Sequence, residues 1–191
     1  MIKKYFSFIV VFAVVLVIGN EIYTQVNKKP KSAKSTRLSC HKDSVTFEKV
    51  IKPKLVQELL QTLKSQDYKV NVWADKSKYM TSVMFNFVDI KKIDEDIKTK
   101  IKNYKLDIEA KKTSDVLIDV MVYENDKKDP GKKTKRSKLY AGYLVFTFKV
   151  GIKKVYKIQT DFMDLKGEDI PKRVSCIINS VMTLGEQNGT K

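Results

Sequence analysis

LYAGYLVFTFKV (139–150) and IKKVYKIQTDFM (152–163) flank one glycine, Gly151. Each stretch has strand length and is rich in aromatic and β-branched residues, and so short a joint predicts a β-hairpin. Working outward, DVLIDVMVYE (115–124) is a third strand. YKLDIEA (104–110) alternates cleanly, with Tyr104, Leu106, Ile108 and Ala110 inward and Lys105, Asp107 and Glu109 outward. It predicts a partner for 115–124 in a second hairpin across a short polar turn. Further upstream, Tyr68, Val70 and Val72 of DYKVNVW alternate with polar neighbours as in a strand. YMTSVMFNFVDI (79–90), apolar on nearly both sides, predicts a central strand.

The remaining periodicity is helical. Leu55, Val56, Leu59, Leu60 and Leu63 form one stripe opened by Pro53, and Phe47, Val50 and Ile51 suggest an earlier turn. Ile93, Ile97 and Ile101 at fourfold spacing suggest a short surface helix. A last helix starts near Asp169-Ile170-Pro171 and stops at Gly185, with Ile170, Val174, Ile177, Ile178, Val181 and Met182 on one face. The class that follows is α+β: a mostly antiparallel sheet with two or three helices packed on one face. Residues 45–185 form this single domain, preceded by a basic polar tether at 20–44 and followed by a flexible tail at 186–191.

Residues 1–19 read as a signal peptide or membrane anchor. Lys3 and Lys4 precede an apolar run from Tyr5 to Gly19 that only Ser7 interrupts. As a helix it spans about 22 Å, short of a ~30 Å hydrocarbon core and suited to a secretory signal or a marginal anchor. Lys28, Lys29, Lys31 and Lys34 beyond the run favour a cytoplasmic carboxyl-terminal side, but the chain is lysine-rich throughout. A buried helix of a soluble protein is the plain alternative. The reading adopted is an exported domain, soluble in the periplasm or held to the inner membrane by residues 5–19.

Export fits the cysteines. Cys40 and Cys176 are the whole complement and His41 is the single histidine, too few ligands for a zinc site. Cys176 lies off the apolar face of the last helix and should look outward, where an oxidising compartment would pair it with Cys40. His41 itself reads as a surface residue of the tether. The net charge of +16 points to anionic partners: phospholipid headgroups, lipopolysaccharide phosphates or acidic polymers, with nucleic acid last for an exported chain.

The sharpest polar feature is NDKKDPGKKTKRSK (125–138). Lys127, Lys128, Lys132, Lys133, Lys135, Arg136 and Lys138 face only Asp126 and Asp129, and Pro130-Gly131 breaks any helix. That describes a mobile anion-binding arm, or equally a solvated hairpin loop. It has no aromatic for base stacking. Asn188-Gly189-Thr190, with Glu186 two places earlier, matches an extended bacterial glycosylation sequon. No catalytic motif or cofactor-binding loop appears. Asp94, Glu95, Asp96, Asp115 and Asp119 read as solvated carboxylates, and neither enzyme activity nor a cofactor is expected.

LVQELLQTLKSQDYKV (55–70), TSDVLIDVMVYE (113–124) and YLVFTFKV with KKVYKIQTDF (143–162) together resemble small envelope accessory domains. These are of the kind found at the amino terminus of TolB and in LpoB, with a similar order in LptE. The likeness covers roughly 45–185 and implies a non-enzymatic domain that binds another envelope component. Those proteins are mostly lipoproteins, whereas here no lipid-acceptor cysteine follows the apolar run. No single functional residue carries over. The leading expectation is a periplasmic or inner-membrane-tethered envelope accessory protein. The alternative is a lipid- or lipopolysaccharide-binding protein that uses the basic loop for headgroups and the sheet face for acyl chains.

Overall fold

The computed structural model describes residues 34–106 and 115–185. The expected leader, most of the tether, the end of the 104–110 strand and the tail with Asn188 lie outside the described residues.

The 139–163 hairpin forms as expected. Strands β4 (Gly142–Val150) and β5 (Lys153–Phe162) pair antiparallel, and Gly151 turns the chain with a φ of +55° that few other residues adopt. To one side β5 pairs antiparallel with β1 (Thr46–Val50). To the other, β4 pairs antiparallel with β3 (Val116–Glu124), which pairs in parallel with β2 (Tyr68–Asp75). The order is β1-β5-β4-β3-β2, a mixed sheet in an α+β fold.

Burial alternates strictly along β3 and β4. Val116, Ile118, Val120 and Val122, with Leu144, Phe146 and Phe148, point into the core. The same face receives α1 (Val56–Lys64), α2 (Ile90–Lys102) and α3 (Ile170–Met182) through Leu59, Leu63, Ile97, Ile101, Val174, Ile177 and Val181. The three described helices therefore all cover one side of the sheet, as two-layer packing requires.

Four expectations are corrected. Residues 79–90 form no strand. Up to residue 89 they make a loop with a single 3₁₀ turn, Met84–Asn86; Met84 and Val88 are buried in the core, Phe85 packs against it, and Tyr79, Val83 and Phe87 stay exposed. Their amides bond to carboxylates rather than to a neighbouring strand, as detailed below. Phe47 and Val50 are not an extra helical turn but belong to β1, an edge strand on β5. Residues 104–106 do not begin a hairpin with β3, because β2 and β4 occupy both of its edges. The Ile93, Ile97 and Ile101 helix is not a short surface element: α2 runs for 13 residues and buries all three isoleucines. It carries the chain from β2 back to the parallel strand β3, the crossover such a pair needs.

Candidate functional site

Residues 34–44, assigned to the tether from sequence, pack on the domain. The 3₁₀ turn Ser39–Asp43 brings Cys40 to Cys176 on α3, and the two form the expected disulfide across 136 residues of chain. Cys176 does not look out to solvent as expected. It is 8% exposed, because the amino-terminal segment lies over it.

His41 is also not on the surface; it is fully buried at the centre of a polar network. Its Nδ1 lies 3.0 Å from Ser35 Oγ, and Ser35 donates to Glu48 Oε1 at 2.5 Å. On the other side of the ring Nε2 lies 2.7 Å from Ser180 Oγ, whose own proton goes to Cys176 O. Arg37 grips Glu48 with one edge of its guanidinium, Nε and Nη2 at 2.9 and 2.8 Å, and donates to Ser180 O and Thr183 Oγ1. Tyr156 donates to Glu48 Oε2. Burial pushes Glu48 up, but hydrogen bonds from Arg37, Ser35 and Tyr156 outweigh it and hold the group at about 2. Burial lowers His41, which Glu48 only partly opposes.

The order Ser180–His41–acid resembles a hydrolase triad in its residue types, but the Ser180 hydroxyl donates to Cys176 O and Ser35 stands between His41 and Glu48. Its serine and histidine are both 0% exposed, so no substrate carbonyl has a route to the hydroxyl. Cys40, His41 and Cys176 also bring three possible metal-ligand atoms within 4.8 Å of one another. With the two sulfurs bonded to each other, neither is a thiolate, and both imidazole nitrogens face hydroxyls. The cluster is a clasp that seats residues 35–41 on α3 and β1.

A pair of carboxylates, Glu124 and Asp126, sits at the end of the sheet where β2 and β3 stop. Glu124 accepts from the backbone of Ser77, Val83 and Met84, and Asp126 from Lys78, Tyr79 and Lys128. Burial raises Glu124, yet these amides, with the Ser82 hydroxyl, bring it down to about 2. The pair spreads the 76–88 loop over the end of the sheet and offers no free acid or base.

Among the described residues no helix lies over the other face of the sheet. Phe47, Val145, Met121 and Leu117 are half-buried there and Trp73 is 44% exposed. Lys149 and Asp119 pair across its middle at 2.7 Å, and Asn71 and Trp73 donate to the same carboxylate. Asp161, on the β1 side, is 3% exposed and its Oδ1 has no hydrogen-bond partner. Burial raises it to about 6.

At the β2–β3 end, Tyr123 and Tyr143 stack at 5.3 Å, and Lys132 lies over both rings at 5.6 and 5.9 Å. Lys132 also donates to Asn125 Oδ1, while the Asn125 amide holds Ser137 O and Tyr140 O. The basic loop is thus pinned at both ends instead of swinging freely. Lys128, Lys133, Lys135 and Lys138 are exposed, Lys127 is half-buried, and Arg136 begins the 3₁₀ turn to Lys138. A shallow hollow of about 290 Å³ between the start of α2 and the start of α3 mixes Asp89, Asp96 and Glu168 with Lys92 and Lys166. Among the described residues no helix is long and apolar enough to cross a membrane.

No protein-family model, curated protein or solved structure matches this chain. Its surfaces have to be read from their own chemistry. Sequence reasoning found the cysteine pair and the basic loop but missed Glu48, Tyr156 and Ser180, whose only sequence signal is a polar residue inside an apolar pattern.

Proposed function

We propose that the chain is a non-enzymatic accessory domain of the cell envelope that binds another envelope component through the uncovered face of its sheet. One observation carries the reading: α1, α2 and α3 all pack on one side, and the other side presents Phe47, Leu117, Met121, Val145 and Trp73 partly to solvent. Apolar side chains at the centre of a patch with polar groups among them are the make-up of a non-obligate protein interface. Export is supported by the apolar leader together with the disulfide, since such bonds persist in oxidising compartments. The periplasm is the compartment that also suits the sequon at Asn188.

Acyl chains are a poorer fit to this face, because the Lys149–Asp119 pair would have to be covered by hydrocarbon. A photo-crosslinking residue at Trp73 or Met121, introduced in the living cell, tests the reading. Adducts of one defined mass from both positions, with none from Lys98 on the exposed side of α2, are expected. Absence of any adduct from the sheet face sinks it.

A further inference from the structure

The strand directions bring three loops to one end of the molecule. β2, β3 and β5 finish there and β1 and β4 begin there, so residues 76–89, 125–141 and 163–169 are neighbours. Of the ten large hydrophobic side chains exposed among the described residues, six stand on these loops: Tyr79, Val83, Phe87, Leu139, Met163 and Leu165. Each is 44–59% exposed. Exposed lysines stand between them: Lys76, Lys78, Lys133, Lys135, Lys138 and Lys166. Most of the acidic residues on the same loops are turned to their own backbone. Asp126 takes three amides, Asp129 that of Gly131, Asp89 that of Lys91, Asp164 those of Lys166 and Glu168, and Asp169 those of Met163 and Asp164. The acids hold the loops in shape, and the lysines and apolar side chains point out.

We infer that this loop end is a membrane-docking surface, and that its occupant is the headgroup layer of an anionic phospholipid bilayer. Charge complementarity selects that occupant. Interfacial binding combines shallow insertion of apolar side chains with attraction of lysines to anionic lipid, and both are present here in alternation. A protein partner would want a contiguous apolar centre with charge at the rim, whereas here Tyr79, Leu139 and Leu165 each adjoin a lysine in the chain and Lys166 lies over the Phe87 ring. The surface is separate from the uncovered sheet face, so the inference stands or falls independently of the reading above.

The test uses the protein as the cell processes it, with its disulfide intact and a polarity-sensitive fluorophore on a single added cysteine. The positions are Phe87→Cys, Leu139→Cys and, at the opposite end, Ile152→Cys, where the side chain is 97% exposed. The probes are vesicles of phosphatidylcholine alone or with phosphatidylglycerol. Labels at 87 and 139 should shift to the blue and be quenched by lipid-borne quenchers only in the anionic vesicles, while the label at 152 stays in water. Any attachment through residues 1–19 acts in both vesicle types, so it cannot mimic this pattern. Lys133→Gln with Lys135→Gln and Lys138→Gln should weaken the response about a hundredfold, at roughly fivefold per lysine. Labels at 87 and 139 that remain in water, or that respond equally in neutral vesicles, overturn the inference.

Discussion

Asp161 is a buried carboxyl that the fold tolerates at a cost. Its value rises from 3.8 to about 6 because burial disfavours the charge, with Gln159 and Arg173 opposing too weakly. A raised acid binds protons more tightly folded than unfolded. Its contribution is therefore complete below pH 3.8 and is lost as pH rises through 6. Asp161→Asn should match the wild type at pH 4 and gain about 1–3 kcal/mol at pH 8, read by urea unfolding at both values. An equal loss at both would mean that the carboxylate makes a bond the fold needs. Glu48 has the opposite sign. It falls from 4.5 to about 2, so its contribution is present above 4.5 and disappears as pH drops through 2. Glu48→Ala would leave Arg37, whose side chain is 13% exposed, without its carboxylate, at a cost of roughly 3 kcal/mol. Glu48→Gln should cost less, and its deficit should narrow as pH falls from 5 to 2. A deficit independent of pH would show that packing, not charge, sets the effect.

The amino-terminal segment and α3 are two elements held by one disulfide and one polar network. Closing 136 residues of chain should contribute about 5 kcal/mol, chiefly by restricting the unfolded chain. Cys40→Ser with Cys176→Ser is expected to lower the melting temperature and to speed amide exchange at 35–43, leaving β4 and β5 protected up to global unfolding. Uniform loss of protection would show that the clasp is integral to the core. Elements whose stability is local were legible in the sequence: the β4–β5 hairpin from its glycine, α1 and α3 from their stripes, and the cysteine pair by count. Residues 79–88 were not, because their amides bond to Glu124 and Asp126 some 40 positions away, and no period announces such a partner. β1 is too short for alternation to show at all. His41 looked like a tether residue because its burial comes from Ser180 and Glu48, which only the folded chain brings to it. Parallel pairing of β2 was hidden for a related reason: a misread strand at 79–90 concealed the crossover through α2.

At the largest scale, helices close one side of the sheet, the other carries no helix among the described residues, and one end carries exposed apolar tips among lysines. On the two proposals above, a chain with +16 net charge would sit between anionic lipid and a partner. The oxidised Cys40–Cys176 pair of the clasp is consistent with a place outside the reducing cytoplasm. Intact mass spectrometry of the native protein from separated membrane and soluble fractions, with thiol labelling before and after reduction, examines the whole scheme. Both cysteines should resist labelling until reduced. A mass short by about 19 residues would mean a cleaved signal, and a full-length mass in the membrane fraction an anchor through residues 5–19. Added sugar mass at Asn188 is expected if the sequon is used. A full-length protein with two freely labelled thiols would instead put the domain in the cytoplasm. The clasp would then lack its covalent member, the sheet face would need a cytoplasmic partner, and nucleic acid would become a serious candidate for the basic loop.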